Sequence, residues 1–294
     1  MRRLFRQTLS GVAVAGVALC IAAVFAAQAA AGGNFTCSGT FANPGVLAGT
    51  INGNVSVTGF CAVNAGPAVV KGNVTVAQGA ALVAAFGAEN STLTVMGNLI
   101  VQQDGAAAIG CNPDSSPCFD DNPDNPTLTV TIHITGNLLA NGALGVVSHN
   151  TTVGGNIEQH GGGGGFTCDT SPGIFGAFGS PVFSTYEDGA VGGNLSITNV
   201  NSCWLGTARM AIHGNASYVN NQLADPDAIE IVSNDIHGNL SCRGNSMTWD
   251  SGDLSDALFP RFPQPNTVDG KRSGQCFYAT PLTEGGPSGP PNSF

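Results

Sequence analysis

The chain has 294 residues, of which 10% are charged, with 42 glycines, nine cysteines and a formal net charge of −10. An acidic chain repels phosphate backbones, which sets nucleic acid aside as a partner. Few charges and moderate hydrophobicity would also suit disorder, but the apolar residues recur in a fixed order that a disordered chain does not need.

Residues 1–29 read as a signal peptide. "MRRLFRQ" is a basic start, an Ala-rich apolar run follows, and Ala27 and Ala29 place cleavage near Ala29–Ala30. Arg2-Arg3 with Phe5 leaves a twin-Arg export route open beside the general secretory one. A retained anchor and a lipoprotein at Cys20 are lesser readings, and Leu19 is too large for the usual lipobox. Cleavage removes three arginines and leaves six basic against nineteen acidic residues, a net charge of −13. Solubility accounts for such a surface. No transmembrane segment remains after cleavage, so the expected location is secreted, extracellular or on the envelope.

Residues 30–50 read as an N-terminal cap. From residue 51 a unit recurs: "INGNVSV", "VKGNVTV", "VMGNLIV", "ITGNLLA", "VGGNIEQ", "VGGNLSI", "IHGNASY" and "IHGNLSC". Its asparagines are Asn54, Asn73, Asn98, Asn137, Asn156, Asn194, Asn215 and Asn239, separated by 19, 25, 39, 19, 38, 21 and 24 residues. The gaps of 39 and 38 suggest one degenerate turn hidden in each. Ile or Val always stands two residues before the Gly, and an apolar residue follows the Asn. That alternation is the strand period, and Gly-Asn supplies a corner, both residues tolerating positive φ. A unit of about twenty residues cannot bury an apolar face alone, so the units must stack. The fold class is all-β, a parallel β-solenoid over 51–245 with stacked corner asparagines. Roughly nine or ten coils at about 4.8 Å each make a rod about 45 Å long. Coils of this length without hexapeptide periodicity favour a right-handed β-helix, and the fixed frame argues against a sandwich.

Loop insertions are expected near 110–126, rich in Pro and Asp, and near 160–181, rich in Gly. Residues 246–279 read as a C-terminal capping segment and 280–294 as a disordered tail. Eight cysteines in an exported chain read as a disulfide set, although eight allow 105 connectivities. Position along the rod suggests Cys37 with Cys61 at the first end, Cys111 with Cys118 across the Pro-rich loop, Cys168 with Cys203, and Cys242 with Cys276 at the last coil.

The stretches "VVKGNVTVAQGAALVA" and "GNLIVQQDGAA" resemble coils of bactofilin-type polymer-forming β-helix proteins. "GNLSCRGNS…PNTVDGKRSGQC" resembles the ending of secreted actinobacterial β-solenoid proteins of unknown function. The resemblance implies an exported bacterial rod and carries no catalytic residues. Bactofilins are cytoplasmic and lack this leader and these cysteines, so filament formation is not implied.

Two constellations are candidates for metal. His213 and His237 share one repeat position, where Asn52, Lys71, Met96, Thr135, Gly154 and Gly192 stand in other copies, so that position reads as a variable outward corner. Asp114, Asp120, Asp121 and Asp124 crowd one loop, but without EF-hand spacing. Right-handed β-helices also host polysaccharide lyases and hydrolases, which need paired carboxylates and a basic residue on neighbouring coils. Here Asp120-Asp121 lies in a Pro-rich loop, the basic residues are only Lys71, Arg209, Arg243, Arg261, Lys271 and Arg272, and G-x-S-x-G does not occur. The expectation is a rod without catalytic residues, cofactor or metal, in a structural or adhesive role. The alternative is a carbohydrate-binding or polysaccharide-degrading β-helix. Self-association and cell-surface glycan are the partners to consider.

Overall fold

The computed structural model describes residues 33–170, 173–225, 229–246, 248 and 266–277. The leader reading (1–29), the tail reading (280–294) and Arg261 lie outside them. Three parallel sheets run the length of the molecule. Sheet 1 has ten strands, from Phe35–Cys37 to Arg272–Gly274; sheet 2 has eight, from Gly45–Val46 to Ile229–Val232; sheet 3 has nine, from Gly49–Ile51 to Thr267–Val268. Each coil visits sheets 1, 2 and 3 in turn, so every strand pairs with its counterpart one coil on. Val55–Val57, for example, pairs with Val74–Val76. The fold is a three-sided parallel β-solenoid.

Alternation along the strands fills the interior. Val55, Val57, Val74, Val76, Leu99, Val101, Leu138, Leu195 and Ile197 of sheet 1 are all fully buried, facing Ile51, Val70, Val95, Ile134, Val191 and Ile212 of sheet 3. One inward layer is polar. Tyr186 donates to Gln159 Oε1 (2.9 Å), and Gln159 Nε2 donates to Ser184 Oγ (3.0 Å). Burial, with the nearby Tyr218, pushes the Tyr186 hydroxyl far up.

The corner from sheet 3 to sheet 1 has three residues in every coil and carries a continuous ladder. The N–H of Asn73 donates to Oδ1 of Asn54 (2.8 Å), Asn98 to Asn73 (2.8 Å), Asn137 to Asn98 (2.8 Å) and Asn156 to Asn137 (2.8 Å). Asn194, Asn215 and Asn239 continue it at 2.9, 2.8 and 2.9 Å. The ladder overruns the eight sequence copies by one coil at each end: Asn54 N–H donates to Asn34 Oδ1, and Lys271 N–H to Asn239 Oδ1. Coil strands accordingly occur inside both segments read as caps, 30–50 and 246–279.

Two expectations change. The gaps of 39 and 38 residues hide no extra turn, because Leu99 pairs directly with Leu138 and Ile157 with Leu195. Each gap is one coil lengthened by a loop, and the closure cost of a longer loop rises only slowly with length. The Gly of Gly-Asn is also not there for positive φ, since neither residue of the pair adopts it. It is there for space: a Cβ at Gly72, Gly97, Gly136, Gly155 or Gly193 would lie 2.2–2.5 Å from the Oδ1 of the preceding ladder asparagine.

The left-handed residues stand at the other two corners. Asp104, Asn199 and Asn220 occupy the turn from sheet 1 to sheet 2; Asn150, Asp188, Arg209 and Ser233 occupy the turn from sheet 2 to sheet 3. Gly161–Gly165 all have positive φ, and the run threads between coils, with Gly163 N–H on Ala143 O and Gly165 N–H on Asn201 O. Late coils repeat the amide device at these corners. Met210 N–H donates to Asn234 Oδ1 and Asn234 N–H to Asn266 Oδ1, while Val200 N–H donates to Asn221 Oδ1 and Asn221 N–H to Asn245 Oδ1. Disulfides join Cys37–Cys61, Cys111–Cys118, Cys168–Cys203 and Cys242–Cys276.

Removing one rung tests the ladder. Asn137→Ala leaves the Asn156 N–H without its acceptor and is expected to cost about 1–3 kcal/mol, seen as a lower urea midpoint. Asn137→Asp keeps an acceptor oxygen and should lose less. An unchanged midpoint for Asn137→Ala would mean that the ladder contributes nothing.

Candidate functional site

Both long insertions flank sheet 2. Residues 110–131 leave the corner from sheet 2 to sheet 3, and residues 161–182 leave the corner from sheet 1 to sheet 2. The outer face of sheet 2 is built to receive them. Ala81, Val83, Ala106 and Ala108 form a second apolar core there with Ile174, Phe175 and Val182, the first two from the short helix Ile174–Ala177. Gly145 clears room for the Phe175 ring, which a Cβ would meet at 2.5 Å, and Gly206 lies beneath the Trp204 indole.

At the corner from sheet 2 to sheet 3 a charged cluster is closed off beneath the first insertion. His149 and Glu187 end adjacent strands and are paired in register. Asp188 and Arg209 are the left-handed corner residues of successive coils. Arg209 Nη2 donates to Glu187 Oε2 at 2.5 Å and to Asp188 Oδ2 at 3.1 Å, and its Nε donates to Asp188 Oδ1. Thr185 donates to Glu187 Oε1 (2.5 Å). From the insertion, Ser115 Oγ (2.5 Å) and Asn112 Nδ2 (3.2 Å) donate to Asp188 Oδ2. His149 Nδ1 lies 3.4 Å from Asp188 Oδ2 and 3.8 Å from Glu187 Oε2. Glu187 is 3% exposed and is ion-paired to Arg209, so removing the guanidinium would leave it without its cationic partner.

Electrostatics follow from these contacts. Burial raises the Asp188 carboxyl, but hydrogen bonds from His149 and Arg209, the Arg209 charge and the Ser115 hydroxyl outweigh it and hold the group well below the usual aspartate range. Burial lowers Arg209, and its two carboxylate partners outweigh that and raise it. His149, Glu187 and Asp188 could converge on a cation. Arg209 already sits on both carboxylates, so a metal would have to displace the guanidinium. Chemically the cluster is an ionic clamp that ties the insertion to the coils.

The residues singled out from sequence are distributed differently. Asp120 accepts from the backbone N–H groups of Gly87 and Ala88 at 2.6 and 2.9 Å. Asp121 accepts from Asn122, Thr127 and Leu128; desolvation raises it, and these N–H groups outweigh that and lower it. Asp114 and Asp124 instead follow Asn112 and Asn122, whose side chains accept their N–H groups. The four acids of this loop form no shared site among the described residues; they fold the loop. His213 and His237 do stand side by side on neighbouring coils, with ring centroids 5.2 Å apart and planes tilted by 38°, and His237 Nδ1 reaches Asp269 Oδ2 at 2.9 Å on an exposed corner. A group formed by Cys168, Cys203 and Asp225 has its sulfurs joined in a disulfide and offers no thiolate.

Sequence reasoning missed the clamp, and one signal could have found it. Asn150, Asp188, Arg209 and Ser233 each stand three residues before the invariant Ile or Val of the repeat. Aligning backward from Gly-Asn would have put Asp188 and Arg209 in one column.

The second missed feature is a chain of rings. Phe60 meets Phe41 (centroids 5.3 Å), Phe41 meets Phe178 (5.9 Å), Phe178 stacks on Phe119 (4.7 Å, 5° between planes), and Phe119 meets Phe86 (5.8 Å). The chain ties both insertions to the first coils. Even so, Phe41, Phe119 and Phe178 remain 54%, 47% and 41% exposed.

Arg209→Ala strands a buried carboxylate and is expected to cost about 3–5 kcal/mol by chemical denaturation. Arg209→Lys should restore only part, since an ammonium cannot bridge both acids with the same fork. Asp188 also gives acid sensitivity. Its folded value lies below its ordinary value of 3.8, so its contribution is complete above that pH and is lost as the pH falls below it. Asp188→Asn should therefore flatten the loss of melting temperature below about pH 4; an unchanged acid limb would refute this. In comparisons with known proteins, no family model, no curated protein and no solved structure matches the chain, so the likeness of its coils to other solenoids carries no family assignment.

Proposed function

We propose that the protein is an exported, non-catalytic β-solenoid that acts as a structural or adhesive rod outside the cell or at its envelope. Four disulfides are consistent with an extracellular setting, and no helix among the described residues is long and apolar enough to cross a membrane. The observation that carries the reading is the contrast between faces. The outward column of sheet 1 has short hydroxyl side chains at both ends, Thr36, Ser56 and Thr75 at one and Ser196, Ser217, Ser241 and Ser273 at the other, with Ile100, Leu139 and Glu158 between them. Sheet 3 presents Thr50, Val69, Thr94, His133 and Thr152 in register, followed by Ala190 and Ala211. Beside sheet 2 the buried Glu187 and the partly buried Asp188 are held by Arg209, Thr185 and Ser115, which supports a clamp over a general acid–base pair.

A second reading, carbohydrate binding without or with cleavage, is favoured by the exposed phenylalanines over sheet 2. Incubating the mature chain with a panel of plant, algal and bacterial polysaccharides separates catalysis from adhesion. No released sugar or unsaturated product is expected, together with co-sedimentation of the protein with envelope material. Measurable turnover on any polysaccharide would overturn the non-catalytic reading.

A further inference from the structure

The rings over sheet 2 do two jobs, and only one is structural. Contacts among Phe60, Phe86 and the inner edges of the other three explain how the insertions are latched. They do not explain why Phe41, Phe119 and Phe178 each keep about half of their surface in water, and a contiguous exposed apolar patch of this kind often marks a binding site. Phe119 and Phe178 are also held firmly. Phe119 follows Cys118 of a local disulfide, its N–H donates to Ala85 O, and the next residue, Asp120, caps Gly87 and Ala88. Phe178 is fixed at the end of the helix whose Ile174 and Phe175 are buried in the outer core. Such a surface needs little ordering when it binds.

We propose that this patch is the adhesive contact of the rod and that its occupant is a neutral polysaccharide; the proposal rests on the adhesive reading above. Size argues for a sugar over a protein. Half-exposed rings of this number offer on the order of 300 Å², well short of the roughly 800 Å² per partner that a stable protein interface buries. That area suits a few pyranose rings, whose C–H faces pack on aromatic carbon and whose hydroxyls turn outward. Exposed amides for those hydroxyls lie in the same segments, at Asn43 and Asn90. Charge selects the polymer. The segments that carry the rings, 38–44, 85–91, 117–128 and 173–180, contain Glu89, Asp120, Asp121 and Asp124 and no Lys or Arg, so uronate and phosphate polymers are repelled.

Affinity electrophoresis of the mature chain tests this, with amylopectin, hydroxyethyl cellulose, galactomannan or laminarin cast in the gel, and polygalacturonate and alginate as anionic counterparts. At least one neutral polymer is expected to retard the protein, and the anionic ones are not. Phe41→Ala should weaken that retardation at least tenfold, whereas Phe41→Trp keeps it. Phe41→Leu preserves apolar volume without a ring and should behave like Phe41→Ala in the gel while keeping a cooperative melting transition, lowered by no more than a few degrees, which separates lost contact from lost fold. Absence of retardation by every neutral polymer, retardation by the anionic ones instead, or indifference to Phe41→Leu would overturn the proposal. So would a dimer of the mature chain that Phe41→Leu converts to monomer, because the patch would then belong to a second copy. Envelope binding that persists without neutral-glycan binding sinks this proposal and leaves the adhesive reading standing; polysaccharide cleavage sinks that reading itself.

Discussion

The molecule depends on one repeated contact, the backbone N–H of a corner asparagine donating to the side-chain oxygen of the asparagine one coil before. At 2.8–3.0 Å on every rung from Asn34 to Lys271, it leaves no freedom in register. Parallel strands slip easily when their faces are flat and polar, and the two ends of the outward column of sheet 1 are of that kind. The ladder removes the ambiguity at one corner per coil, and the buried Val, Leu and Ile column then aligns without further instruction. The contact also dictates its own neighbour: only glycine leaves room for the preceding amide, which is why Gly-Asn travels as a pair.

That dependence explains what could be read in the sequence. The Gly-Asn frame, with Ile or Val before it and alternating apolar residues after it, contains both the ladder and the inward column, so the parallel all-β solenoid was legible. The asparagine spacing was misleading where it was largest. Residue count measures path length, whereas stacking depends on where the path returns; Leu99 meets Leu138 however long the chain between them. The outermost coils were missed for the opposite reason. Around Asn34 and Lys271 the frame has decayed to "GGNFTC" and "VDGKRSG", too degenerate to recognise without the strand partners that Val55 and Leu240 supply.

The charged cluster was hidden by distance. His149, Asp188 and Arg209 are each ordinary loop or strand-end residues in the linear sequence, and Asn112 and Ser115 come from an insertion one, two and three coils before them. Only stacking brings them within a few ångströms. The acidic loop shows the converse: Asp114, Asp120, Asp121 and Asp124 are crowded in sequence, yet in space Asp120 and Asp121 turn to backbone N–H groups. Density of carboxylates along a chain says little about a cation site, because a loop without regular structure must satisfy its own N–H groups first.

The placement of insertions follows from the ladder as well. The corner from sheet 3 to sheet 1 holds three residues in every coil, and an extra residue there would pull an N–H out of reach of its acceptor. Length variation is therefore confined to the other two corners, and these are the two that border sheet 2. Anything inserted at either must fold across that sheet or hang free. Ala81, Ala106, Ala108, Gly145 and Gly206 make its outer surface low enough to be covered. The second core, the Arg209 clamp and the phenylalanine chain thus gather on one side of the rod, while neither long insertion leaves the corner from sheet 3 to sheet 1. A solenoid with its ladder at a different corner would present its insertions on a different face, so the position of Gly-Asn within the coil determines which side of this molecule can make specific contacts.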